Sequence, residues 1–175
     1  MTNLSVAAEL VRQYHYAAGA ANTATYLHGL FRIGAFWETE CMGVAWWIPP
    51  TKSAALATYP ANWQSVLCLS RLVIAPGVPK NACTFLLARS RKLIDRSAWP
   101  CLVTYADDWQ GHSGAIYRAD NWHYVGKTKP ERLYTLGGRM IARKAGPTTR
   151  RHDEMIALGA ECLGSFAKHK YMRLT

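Results

Sequence analysis

A chain of 175 residues, half of them apolar, can bury one good core and reads as a single domain over residues 1–175. No apolar run approaches a membrane span, and the N-terminus lacks a charged region followed by a signal-type apolar stretch, so no membrane partner and a cytoplasmic location are expected. The net charge of +10 is uneven: residues 1–125 hold 10 Lys/Arg against 7 Asp/Glu, residues 126–175 hold 11 against 4, which points either to a polyanion partner near the last fifty residues or to a solvated basic face.

Leu4, Ala7, Ala8 and Val11 recur at helical spacing and predict a first helix, capped by Asn3 or Ser5 and running towards Tyr14-His15-Tyr16. Residues 19–25 are small and polar, hence a loop. Residues 26–35 and 41–48 read as strands joined by a turn around Glu38-Thr39-Glu40, and Pro49-Pro50 ends the second. A short helix over 52–58 and a loop over 59–63 lead to an apolar, β-rich run over 65–75 that stops at Pro76-Gly77. Asn81 then caps a helix with Leu86, Leu87, Leu93 and Ile94 on one face. After Pro100 a buried strand over 101–106 ends at Asp107-Asp108, followed by a polar loop, a short helix carrying Tyr117, and a strand over 123–126. The remainder reads as a strand over 133–141 with a bulge or close backbone approach at Gly137-Gly138, a helix over 151–166 with Met155, Ile156, Leu158 and Leu163 inward, and an edge strand over 171–174. This order makes an α/β core of the ligand-binding kind.

Polar groups at the carboxyl end of a central strand are where open α/β sheets place their chemistry, which singles out Asp107. A carboxylate there serves equally as a proton acceptor or as a helix cap, with Asp108 the more natural cap. The helix start at Lys80-Asn81 suits an anionic group such as a pyrophosphate. His112, between Gly111 and Ser113-Gly114, can be a base, a phosphate contact or a helix-start residue. Lys127, Lys129, Arg132, Arg139, Arg143, Lys144, Arg150 and Arg151 make the basic stretch. The five cysteines form no CxxC pair and read as free thiols.

Arg71-Leu72-Val73, Pro79-Lys80-Asn81-Ala82, Tyr105-Ala106-Asp107, Gly111-His112 with Gly114, Ile116-Tyr117, Asn121-Trp122, the upstream Tyr14-His15-Tyr16 and the final Lys168-His169-Lys170-Tyr171 together resemble the bacteriophage DNA-modification family Mom. The resemblance spans roughly residues 10–174. It implies a GNAT-like α/β (α+β) fold, a mixed and largely antiparallel sheet flanked by helices, and an enzyme that converts adenine in double-stranded DNA to its N6-carbamoylmethyl form, which resists host restriction. Two other classes stay open: a GNAT acetyltransferase acting on a small-molecule amine or a charged tRNA, and a DNA-binding module without catalysis.

The resemblance assigns roles. Asp107 accepts the proton from the exocyclic amine, Tyr117 acts as general acid or packs in the core, and His15 and Tyr16 join the active site. Arg71, Val73, Lys80, Asn81 and Ala82 are placed at the donor, an acyl-CoA-like molecule or another activated carrier, because the 76–81 turn departs from the standard acyl-CoA loop and its two prolines remove N–H donors. Trp109 stacks on the target base, and His112, Arg139, Arg143, Lys144 and Arg150 contact DNA. His15, Tyr16 and Tyr117 form a set suited to iron. A homodimer is left open as the assembly.

Overall fold

The computed structural model describes residues 2–16, 19, 21–34, 38–145 and 148–174. Ala20 and Ala35, read above as loop and strand end, lie outside the described residues. Asn3 caps helix α1 (Leu4–Tyr14), its side chain accepting the Val6 backbone N–H at 2.9 Å. Ala7, Leu10 and Val11 form the buried stripe of α1, while Leu4 stays exposed. Strands β1 (Tyr26–Ile33) and β2 (Thr39–Ile48) pair antiparallel, with Thr39 and Glu40 already in the ladder rather than in the turn. Strand β2 is covered on both faces: Val44 and Trp46 pack with α1, Ala45 and Trp47 with the opposite cluster. An unbroken apolar run is the sequence form of such a strand.

Helix α2 (Lys52–Leu56) and a 3-10 turn (Pro60–Ser65) lead into β3 (Val66–Ile74), α3 (Ala82–Lys92), β4 (Cys101–Asp107), a second 3-10 turn (Asp108–Gln110), α4 (Ala115–Ala119) and β5 (His123–Lys127). The strand, helix, strand, loop, helix, strand order expected over 71–126 is the order found. Asn81 stands at the N-cap of α3, but its side chain makes no capping bond, and Leu93, expected inward, follows the helix at 66 % exposure.

Three readings of the last fifty residues are corrected. The 133–141 strand is a hairpin of β6 (Glu131–Leu136) and β7 (Arg139–Ile141): Leu136 faces Arg139, and Gly137 and Gly138 both hold positive φ, as a two-residue primed turn requires. After the short pair β8 (Lys144–Ala145) and β9 (Thr148–Thr149), the 151–166 helix is only α5 (His152–Ala157). Gly159, at φ 79°, stops it, and β10 (Glu161–Phe166) pairs with β6, so Met155 is buried while Ile156 and Leu158 are exposed. The last strand, β11 (Lys168–Leu174), is interior rather than an edge: it lies between β4 and β5, with Tyr171 fully buried.

The main sheet runs β1-β2-β3-β4-β11-β5 and is antiparallel throughout except for β3 and β4. It is the mixed, largely antiparallel sheet flanked by helices that was expected, with a second sheet, β10-β6-β7, inserted between β5 and β11. Among the described residues, β3 and β4 share four rungs, Val66 to Leu69 against Cys101 to Thr104. Beyond them residues 71–74 stay with β2 and 105–107 with β11, so the strands part into a wedge. Ser70 is skipped in the β2 ladder, where Trp46 faces Arg71 and Trp47 faces Leu69, and such a bulge adds twist at the point of parting. No helix among the described residues is long and apolar enough to cross a membrane.

Candidate active site

The wedge holds a cavity of about 630 Å³. Its walls are β3 from Cys68 to Ile74, Tyr105 and Ala106 of β4, residues 111–117, the end of α1 with Tyr14, His15 and Tyr16, and Lys168. Asp107, at 5 % exposure, lies behind two lining residues, Tyr16 and Lys168. The Tyr16 hydroxyl donates to Asp107 Oδ2 at 3.1 Å, and Lys168 Nζ lies 3.0 Å from the same oxygen. Burial, reinforced by the Asp107 charge, pushes the Tyr16 phenol well above the ordinary tyrosine range, so it remains a proton donor.

The two readings of Asp107 are now separable. Its side chain caps no helix: the 3-10 turn that follows has no side-chain cap, and only the Asp107 carbonyl serves the loop, accepting the His112 N–H at 3.1 Å. Asp108 does not cap either. Its carboxylate binds Lys127 at 2.7 Å and His169 Nε2 at 3.3 Å, and the Lys127 contact draws its pKa down.

Tyr117 both packs and lines the cavity. It is 8 % exposed, with ring contacts to Trp122 and Tyr171 at 5.9 and 5.4 Å and a pKa pushed up to about 12 by burial. His15 stacks on Tyr16 at 4.5 Å, and His112 meets Tyr16 edge-on at 5.8 Å. Trp109 is not on the cavity: it packs edge-on against Phe166, because the 3-10 turn carries it towards the second sheet. The rings that do reach the cavity are Tyr14, His15, Tyr16, Tyr105, His112 and Tyr117.

The residues expected at the donor divide. Arg71 and Val73 line the cavity, whereas Asn81 and Ala82 line a separate apolar hollow of about 310 Å³ with Phe31 and Phe85, and Lys80 lines neither. Arg71 forms no ion pair among the described residues; its guanidinium donates to the Gly19 carbonyl at 2.8 and 3.2 Å and to the Ser70 carbonyl at 2.8 Å. It ties the chain after α1 to β3, and so holds Tyr14, His15 and Tyr16 over the wedge.

The residues expected to suit iron, His15, Tyr16 and Tyr117, all reach the cavity wall, with the Tyr16 hydroxyl donating to Asp107. Among the described residues no group of three His, Cys, Asp or Glu is placed to hold a metal.

Lys127 ends β5 of the main sheet, Arg132 and Arg139 lie on the second sheet and Lys144 on the β8–β9 pair, and none of them lines the cavity. Arg139 and Lys144 are exposed. Arg143 donates to the Arg150 carbonyl at 3.0 Å and is half-buried with it, and Arg151 pairs with Asp153 and Glu154. Sequence reasoning gave no site role to Lys168. Arg118 donates to the Ser113 carbonyl and to the Tyr171 hydroxyl, which itself donates to the Ser113 carbonyl at 2.6 Å. This clamp fixes the 111–114 wall, and Gly114, at φ 73°, leaves no room for a methyl against the Tyr171 ring.

The Mom protein family matches residues 2–173. The chain belongs to this family. Membership brings DNA modification as the broad expectation for this Mom family member and spans every element that builds the wedge. No curated protein matches the chain in sequence. Among solved structures, an N-acetyltransferase from Staphylococcus aureus Mu50 is similar over 77 % of this chain and 61 % of its own, at 15 % identity and a TM-score of 0.45. The chain thus spans less than two thirds of that protein.

Proposed function

We propose that this Mom family member transfers a carbamoylmethyl group to the N6 amine of adenine in double-stranded DNA, in the service of restriction evasion by a phage. The observation that carries the reading is the Tyr16–Asp107 hydrogen bond at the wedge, inside the span matched by the family. The amine's lone pair is delocalised into the purine, so its nucleophilicity rises only as its proton leaves. A bond forms between N6 and the methylene carbon of the donor, the bond from that carbon to its leaving group breaks, and the leaving group takes the electron pair. The N6 proton passes to the Tyr16 oxygen while the phenolic proton moves to Asp107. A phenol kept protonated by burial and by its carboxylate partner is suited to this double role.

The donor, an activated carrier of acyl-CoA-like or other chemistry, lies along β3 between Arg71 and Val73 in this reading, with Tyr117 able to protonate the leaving group. A paired adenine presents N6 in the major groove as a donor to thymine, so the base is flipped into the wedge. Tyr14 and His112 at the wall are its stacking surfaces in place of Trp109. Arg139 and Lys144 take backbone phosphates.

Mass spectrometry of nucleosides from the DNA of cells expressing the chain tests this. A deoxyadenosine adduct heavier by one carbamoylmethyl group is expected. Unmodified DNA together with an acetylated small amine or charged tRNA would replace the reading with an ordinary acetyltransferase, and unmodified DNA that the protein nevertheless binds would reduce it to a binding module.

A further inference from the structure

Lys168 opens β11 directly opposite Asp107 in the β4 ladder. Directly opposed residues of an antiparallel pair send their side chains to the same face, so the backbone register alone brings the ammonium to the carboxylate. The resulting contact, 3.0 Å from Nζ to Oδ2, falls on the oxygen that already accepts the Tyr16 hydroxyl. Two donors on one oxygen restrict the rotation of a carboxylate more than one does. The neighbouring charges are engaged elsewhere: Arg71 with the Gly19 and Ser70 carbonyls, Asp108 with Lys127 and His169. The Lys168 side chain keeps 43 % exposure and lines the cavity, whereas that of Asp107 keeps 7 %. Lys168 is the cation placed beside this enclosed carboxylate.

We propose that Lys168 is a positioning residue for the transfer: it fixes the Asp107 carboxylate against the Tyr16 hydroxyl and supplies its counter-charge. The proposal rests on Asp107 being the final proton acceptor. The relay demands that Oδ2 meet the phenolic proton as the N6 proton arrives, and a carboxylate free to rotate would meet it in only a fraction of encounters. Lys168 itself gains and loses no proton in the step.

The test is a set of variants assayed on duplex DNA by adduct formation. Lys168→Met keeps the alkyl stem and removes the charge; kcat is expected to fall roughly tenfold to a hundredfold, the loss typical of a displaced reacting group, with KM for DNA unchanged. Added to Asp107→Asn, the same substitution should cost nothing more, since both act through one carboxylate. Methylammonium in the assay should restore part of the rate of Lys168→Ala, and Lys168→Arg should keep most of it. Wild-type kcat in Lys168→Met, a raised KM with kcat intact, independent losses in the double variant, or no response to methylammonium would each overturn the proposal. Should Lys168→Met fail to fold, Lys168→Arg decides: a loss as large as that of Asp107→Asn overturns it. If the wild-type protein forms no adenine adduct, the proposed function fails by itself. The Lys168–Asp107 coupling is then read from the same double-variant cycle in thermal stability, where strict additivity would remove the pair.

Discussion

Tyr117 shows how one side chain can serve the core and the chemistry together, and how the two are told apart. Its phenol is held up to about 12 by burial, against an ordinary value near ~10. The folded state therefore keeps the proton more tightly than the unfolded chain does, and the stability this gives is present below pH ~10 and lost as pH rises towards 12. The loss is on the order of 2 kcal/mol. Cys68, likewise pushed up to about 12 by burial, adds a decline that begins about one unit lower. Thermal melts from pH 9 to 12 should show a falling midpoint, less steep in Tyr117→Phe. Adduct formation by that variant at neutral pH, where Tyr117 is protonated, should be strongly reduced if the hydroxyl protonates the leaving group. A flattened melt profile with an unchanged rate would leave Tyr117 to packing alone. At this scale the place of Asp107 at the end of an apolar strand was legible, but the choice between proton acceptor and helix cap was not, since both suit a carboxylate there. Lys168 was legible only as part of a terminal motif. Its partner is 61 residues away in sequence, and the pairing exists only through a ladder that no local pattern announces.

Among elements, the ones read well were those whose pattern is local. Helix α1 carries its own cap and stripe, β2 and β4 are unbroken apolar runs, and α3 follows a proline-glycine turn. The sequence reads as a short edge strand over 171–174, whereas β11 begins at Lys168 and Lys170 Nζ reaches the Ala57 carbonyl. The 151–166 segment has helical spacing in Met155, Ile156 and Leu158, but Gly159 in the left-handed region ends the helix, and pairing with β6 decides the rest. The inserted sheet also narrows which cations are available for DNA. Arg143 is tied to the Arg150 carbonyl and Arg151 to two carboxylates, whereas Arg139 and Lys144 are exposed without an ion pair among the described residues, as are Lys129 and Arg132. Neutralising both as Arg139→Gln and Lys144→Gln should lower the slope of log affinity against log salt by about 1.8, at about 0.9 per phosphate, equally for all duplex sequences. An unaltered slope would mean that the phosphates lie elsewhere, and Lys129 and Arg132 would be the next pair to neutralise.

For the molecule as a whole, the parting of β3 from β4 has a mechanical meaning. Two three-stranded antiparallel blocks, β1-β2-β3 and β4-β11-β5, meet at four parallel rungs, with Thr104 Oγ1 on the Leu69 carbonyl at the last of them. Tyr16 reaches across from the chain after α1 to Asp107 on the far block. A junction of four rungs is expected to open as a hinge, by a sub-global fluctuation that costs less than unfolding either block, against the buried cluster of Leu67, Leu69, Leu87 and Leu102 that crosses it. Amide exchange should reveal it: residues 66–69 are expected to exchange faster than residues 44–47 in the centre of the first block, and to slow when an activated donor fills the gap and bridges the blocks. Equal protection in both places, with or without donor, would mean a rigid groove. In a hinged molecule the group that fills the wedge is also what joins its halves, so occupancy by the donor would set how firmly the adenine, once flipped in, is held.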